Sequence, residues 1–296
     1  MKKILLISLI VFATAFLTIN SGDNKASAFP YAVPSKFSED YRFAKVYVML
    51  AETYVSHGDY DKAKEFLACA LKYDPLNIQA KLDLGLIYEV LNDYKSAVSE
   101  YEEILKTDPD NRDVNYYLGL LYDKTNNIDK ALKYLEKTIT LMPYNASVYY
   151  DTGVIYARIN NFTKAAFYNQ KAVDLKPDFA EAYNNLCYAQ ANTGLYKEAL
   201  TNCQKSLDLN PNSAPSLDSM GFVYFGMNNP QKAVEYYKKA LDTNSEIAEI
   251  YLHLAQALEK SGQKKEAVKY YRKYIEMSPK APGINGIKAI LNKLDK

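Results

Sequence analysis

Seven alanines at one fixed spacing constrain this chain more than any other feature. Ala63, Ala97, Ala131, Ala165, Ala199, Ala233 and Ala267 follow one another every 34 residues. A period of that length marks a stacked-repeat architecture, in which no unit can bury its apolar face alone. It overrides the one or two ordinary domains that a length of 296 residues would suggest. Numbered from Ala44, the repeats begin at 44, 78, 112, 146, 180, 214 and 248, and the alanines occupy the twentieth position.

Three further columns define the unit. The eighth position holds Ala51, Gly85, Gly119, Gly153, Cys187, Gly221 and Ala255, all small. Small residues at positions 8 and 20 are what two antiparallel helices need where they cross closely. A larger side chain there would overpack at about 1–3 kcal/mol. The fifteenth position is Gly58, Asn92, Asn126, Asn160, Gly194, Asn228 and Gly262. Only residues that enter the left-handed conformation easily occur, so the first helix of each unit ends there. The thirty-second position is proline except at Ser245. Proline cannot continue the second helix, so each unit closes at it, less rigidly at Ser245. Within Ile78–Asn111, Leu84, Gly85 and Tyr88 share one helical face. Ala97, Tyr101 and Ile104 share another, which predicts a helix–turn–helix hairpin.

These columns resemble those of the tetratricopeptide repeat family over Ala44 to Ala281. The family's large aromatic near the start of each repeat is matched by Tyr47, Tyr149, Tyr183 and Tyr251, while Lys81, Asn115 and Leu217 depart from it. Its tyrosine at position 11 appears as Tyr54, Tyr88, Tyr122, Tyr156 and Tyr224, with Gln190 and Leu258 as departures. The fifth repeat diverges most, at Cys187, Gln190 and Cys203. The resemblance implies an all-α fold, a right-handed α-solenoid of antiparallel helix hairpins. The expected layout is 44–77, 78–111, 112–145, 146–179, 180–213, 214–247 and 248–281.

The ends of the chain differ from the repeats. Lys2 and Lys3 precede an apolar run from Ile4 to Ile19, and Ala26-Ser27-Ala28 follows. A basic start, a short apolar core and an Ala-x-Ala site predict a secretory signal peptide over 1–28. The chain is then expected to be exported, periplasmic or secreted. The alternative is an uncleaved segment anchoring it to a membrane, the one case in which membrane contact is expected. Residues 29–43 read as an extended lead-in, with Ser38 as N-cap of the first helix ahead of Glu39 and Asp40. Over 282–296, Ile284, Ile287, Ile290, Leu291 and Leu294 share a face, as expected of a C-terminal capping helix.

No constellation for catalysis stands out, so the chain reads as a non-enzyme with no cofactor. His57 and His253 lie six repeats apart and are read as ordinary helix residues; no metal site is expected. Acidic neighbours such as Glu102 and Glu103 point apart on a helix. Thirty-six basic and 35 acidic residues leave no overall case for nucleic acid. Asn145-Ala-Ser147 and Asn161-Phe-Thr163 match the glycosylation sequon, as chance allows in an Asn-rich chain. Cys187 and Cys203 occupy inward columns of one hairpin. An exported protein can join them in a disulfide, but the plainer reading, preferred from sequence, is two small core residues. Cys69 has no evident partner.

In the family the resemblance points to, first helices line a concave surface, with positions 2, 5, 9 and 12 facing inward. Here these positions supply Leu82 and Leu86, Tyr116 and Leu120, Tyr150 and Val154, Asn184 and Tyr188, then Phe222 and Phe225. They are in excess of the apolar columns that packing requires, which is the pattern of a binding surface. Some of them are also expected to pack between neighbouring repeats. Asn184 and Asn185 can hydrogen-bond a peptide backbone. The family's clamp for C-terminal carboxylates uses lysine and asparagine, and Val48 and Glu52 stand there instead. The function expected is a protein–protein interaction scaffold for a partner segment, in envelope assembly or secretion. The alternative is a glycan-binding module using the tyrosines.

Overall fold

The computed structural model describes residues 35–294, and side chains from residue 39; the proposed signal peptide and its apolar run lie outside them. The described residues form α-helices and no strand. The described residues fall into two compact units, one ending at Asn77 and the other beginning at Ile78.

In the first unit, α1 (Ser35–Ser56) and α2 (Tyr60–Tyr73) form one hairpin. Ala44, Ala51, Ala63, Leu67 and Ala70 are buried there. The rings of Phe43, Tyr47, Tyr54, Phe66 and Tyr73 pack in successive pairs at 5.2–6.2 Å. Helix α1 already begins at Ser35, so Ser38 lies within its first turn and is not its N-cap. Lys36, expected in an extended lead-in, is helical as well.

The second unit continues the hairpins as α3 (Ile78–Val90) with α4 (Tyr94–Thr107), then α5 (Arg112–Lys124) with α6 (Ile128–Leu141). Next come α7 (Ala146–Arg158) with α8 (Phe162–Leu175), and α9 (Ala180–Asn192) with α10 (Tyr196–Leu209). The last two pairs are α11 (Ala214–Gly226) with α12 (Pro230–Thr243), and α13 (Ala248–Lys260) with α14 (Lys264–Met277). Helix α15 (Ile284–Leu294) closes the unit; its Ile287, Ile290, Leu291 and Leu294 pack on the core cluster that includes Leu254, Leu258 and Tyr271. The architecture is an α-solenoid of antiparallel hairpins with a capping helix.

The columns explain the helix limits. All seven residues of the fifteenth position have positive φ, from 58° at Asn160 to 84° at Gly262. That conformation reverses the chain at the end of each first helix. The next residue then starts the second helix. The side chains of Asp59, Asp93, Asn127, Asn161 and Asn229 each accept a hydrogen bond from the backbone N–H three residues on. Asn145 likewise caps α7, so both sequon asparagines are helix caps.

Positions 8 and 24 form the tightest layer of each hairpin. A methyl group added to Gly85 would collide with the Tyr101 ring, one on Gly119 would lie 2.7 Å from Leu135, and one on Gly221 2.6 Å from Tyr237. The large residue at position 24 thus fills the space that the small residue at position 8 leaves open. In the fifth repeat the same two positions are Cys187 and Cys203, and their sulfurs are bonded with the Cα atoms 5.3 Å apart. The reading of two separate small core residues therefore gives way to a covalent link. That Cα separation is within the range normal for a disulfide. Cys69 is free.

A second layer repeats on the other flank. Ring pairs between positions 11 and 23 stack in Tyr122–Tyr134 and Tyr156–Tyr168, at 5.6 and 5.3 Å and both 8° from parallel. A lysine at position 19 covers the first ring, as Lys130 does over Tyr122 and Lys164 over Tyr156. In the fifth repeat Gln190 and Asn202 take these two places and hydrogen-bond at 2.8 Å.

Candidate functional site

The ten groove residues sit on first helices: Leu82 and Leu86 on α3, Tyr116 and Leu120 on α5, Tyr150 and Val154 on α7, Asn184 and Tyr188 on α9, Phe222 and Phe225 on α11. None of them is buried. Leu86 and Tyr188 are the most open, at 37% and 38% exposure. The other eight are half-buried. Five of them rest on core clusters, Leu82 and Tyr116 on the cluster around Leu118, Tyr150 on that around Leu186, and Phe222 and Phe225 on that around Val223.

Rings join along this face. Tyr188 lies 5.9 Å from Phe162, edge-on, and 5.4 Å from Phe222. Tyr150 lies 4.9 Å from Phe179. Phe162 and Phe179, outside the columns read from sequence, complete the aromatic strip because they begin α8 and precede α9. Lys260 lies 4.5 Å from the centre of the Phe225 ring. The side-chain oxygen of Asn184 is buried without a hydrogen-bond partner, while its nitrogen reaches Asn185 at 3.4 Å.

The sixth position was not singled out by the sequence, and it proves to matter. The Tyr116 hydroxyl donates to Asp151, which stands at position 6 of the next repeat. Asp218 and His253 make the same step, with Nδ1 and Oδ1 2.8 Å apart. Two helical turns further along, Arg158 pairs with Asp123 across the same junction as Tyr116 and Asp151. Each pair spans 35 residues. A position-5 side chain therefore meets position 6 of its successor. His253 is part of this ladder and not a plain helix residue.

The ladder shifts protonation. Burial pushes the Tyr116 hydroxyl up, and its bond to Asp151 adds to the effect. Burial also raises Asp151, against the hydrogen bond from Tyr116. Burial works against charge on His253, but the Asp218 carboxylate outweighs it and holds the imidazole above its ordinary value. Other carboxylates of these first helices accept from tyrosine hydroxyls of the same hairpin. Glu89 accepts from Tyr101 and Glu259 from Tyr271, both at 2.7 Å.

Among the described residues no group of three or more His, Cys, Asp and Glu could hold a metal ion. His57 bonds its own helix, Nδ1 to the Thr53 carbonyl at 2.7 Å. No described helix is long and apolar enough to cross a membrane.

Comparison with known proteins agrees with this geometry. Two models described as tetratricopeptide repeat match, one at residues 116–178 and 220–282 and the other at 178–246. A model of the tetratricopeptide repeat protein 21 C-terminal ARM domain matches residues 30–145. No match is found among curated proteins. Among solved structures, a tetratricopeptide repeat protein from Parabacteroides merdae is similar at 19% identity and TM-score 0.67, over 86% of this chain and 100% of that one. MamA is 27% identical with TM-score 0.53, over 58% of this chain and 94% of its own. YrrB, described as having an unusual peptide-binding site, is 22% identical with TM-score 0.56, over 64% and 97%. The repeat models together run from residue 116 to 282, more than half of the sequence, and the hairpins obey the same columns throughout: the chain belongs to the tetratricopeptide repeat family.

Proposed function

We propose that the chain is an exported, non-enzymatic scaffold that holds an extended segment of a partner protein along the first-helix face of repeats two to six. The observation that carries this reading is the aromatic strip itself. Phe162, Tyr188 and Phe222 touch in sequence and none is buried. Half-buried aromatic rings backed by a rigid core are the usual anchors of protein interfaces. Asp123 is paired with Arg158 and Asp218 with His253 within the protein, which leaves the aromatic strip to dominate the contact and suits a partner segment that is apolar and binds with weak salt dependence. Asn184 and Asn185 offer hydrogen bonds to its backbone. The peptide-binding site described for YrrB fits the same mode of use.

Export and a role in envelope assembly or secretion are part of this reading. The Cys187–Cys203 disulfide supports an oxidising compartment, where such bonds persist. The test is a crosslinking pull-down from the native envelope fraction with wild-type protein and the Leu86→Ala/Tyr188→Ala variant. These two side chains are the exposed members of the set, so their removal spares the core. Loss of a protein partner in the variant is expected; capture of the same partners at undiminished yield overturns the assignment of the groove. Tyr188 also offers an open ring face to a sugar. Specific retention by a panel of cell-wall glycans, with no protein captured, would replace the scaffold reading with a glycan-binding one.

A further inference from the structure

Helix α1 breaks a column that the later repeats keep. From the third repeat to the seventh, position 3 is Val114, Val148, Ala182, Ser216 and Ile250, and each is at most 2% exposed. The second helix of the hairpin before closes them off. Val114 shares a cluster with Ile104 of α4, Ala182 with Ala172 of α8 and Ile250 with Ala240 of α12, while Ser216 hydrogen-bonds Ser206 of α10 at 2.8 Å. In the first repeat position 3 is Val46, and it is 51% exposed. Met49 and Thr53, on the same face of α1, are exposed as well, and no described helix precedes them. The hairpin takes its core from the opposite side of the helix, through Ala44, Val48 and Ala51.

Helix α1 also outruns the repeat frame. It has 22 residues where α3 and α5 have 13, and the additional length lies at its N-terminal end. Its open face has the pattern of a helix pair. Residues 39, 42, 46, 49, 53 and 56 follow one another in alternating steps of three and four, which is the seam of a heptad. Lys45 and Glu52 lie one heptad apart on one flank of that seam, and Phe43 and Leu50 on the other. Lys45 and Glu52 are both exposed, and among the described residues neither is in an ion pair. Seven residues separate them by about 10 Å along the helix, too far to pair with each other.

We infer that this face of α1 is a self-association surface, on which a second copy of the chain packs its own α1 antiparallel. With Val46 set against Met49 of the second copy, each flank meets the same flank across the seam. Lys45 of each copy then faces Glu52 of the other, and Phe43 faces Leu50. The two-fold axis makes every contact occur twice. A parallel copy would bring Lys45 to Leu50 and leave the charges unmatched. The surface is thus complementary to itself in charge as well as in its apolar residues.

The test is sedimentation equilibrium of the full exported chain over a range of concentrations. A reversible dimer is expected, with a dissociation constant of roughly 10 µM, because a single helix pair is at the small end of specific interfaces. Lys45→Glu and Glu52→Lys each set like charges at both flank contacts, and each should weaken the dimer at least about tenfold. An equimolar mixture of the two variants restores opposite charges at both contacts and should dimerise as the wild type does. Both side chains are exposed, so the helical spectrum of each variant should be unchanged. The Leu86→Ala/Tyr188→Ala groove variant should dimerise normally. A wild-type chain that stays monomeric well above that concentration overturns the inference, and would assign the face to residues ahead of Ser35 in the same chain. Dimers indifferent to either charge reversal, or a mixture that stays monomeric, also overturn it. Failure of the groove reading leaves this result untouched, since the two surfaces share no residue.

Discussion

The covalent link in the fifth repeat gives the sharpest prediction. Cys187 and Cys203 lie 16 residues apart in sequence. A disulfide closing a loop of about that length stabilises by roughly 3 kcal/mol in the chain-entropy model. Replacing both residues with alanine removes that constraint. It also removes two sulfur atoms from a fully buried layer, at roughly 1 kcal/mol for each methyl-sized void. The double alanine variant should therefore lose about 5 kcal/mol locally, the sum of these two effects. A Cys187→Gly/Cys203→Leu variant recreates the pair seen as Gly119 and Leu135. It should recover about 2 kcal/mol by filling the layer, but not the loop-closure part. Stability in a solenoid is close to a sum over neighbouring repeats, so the loss should be local. Amide hydrogen exchange is the assay, read at α9 and α10 against α5 and α6. Reduction of the wild type should speed exchange in α9–α10 by about two orders of magnitude, as roughly 3 kcal/mol implies. Alkylation of unfolded, unreduced protein should modify Cys69 alone. Modification of all three cysteines without reductant would refute the bond. Equal exchange before and after verified reduction would refute the stabilisation argued from it.

Other consequences are as direct. Gly119→Ala should destabilise by about 1–3 kcal/mol in urea unfolding, because its methyl group meets the Leu135 side chain and the α6 backbone; Gly119→Ala/Leu135→Val should recover part of that loss. Gly58→Ala places a side chain at φ +77° and should cost about 1 kcal/mol, although nothing lies within 4 Å of the new methyl group. The His253 imidazole is held above its ordinary value by Asp218. A raised folded pKa means the pair's stabilisation is complete below the unfolded value of about 6.5 and is lost as pH rises through the folded one. Exchange of α11 and α13 amides, corrected for intrinsic rate, should show that loss, and His253→Gln should abolish it.

The framework of this fold was legible because its signals are local. A left-handed residue at position 15, proline at position 32 and small residues at positions 8 and 20 each do their work inside one hairpin. What the sequence hid lies between hairpins. The pairing of Tyr116 with Asp151 and of Asp218 with His253 depends on the rotation from one hairpin to the next, which no single repeat encodes. For the same reason His253 read as ordinary. Ser38 misled because serine before two acids has every local property of a cap, yet the helix extends three residues further back. The cysteine pair was placed correctly in its columns. Its bonding was undecidable from pattern, since a free thiol and a half-disulfide occupy the same small-residue slot.

The 35-residue pairs have a consequence for how such a chain can be edited. Because position 5 of one repeat is completed by position 6 of the next, the binding face is written in overlapping words. Transplanting the repeat at 112–145 alone would carry Tyr116 away from Asp151 and present its hydroxyl to a stranger. The smallest portable unit of this surface is therefore one repeat together with the first helix that follows it.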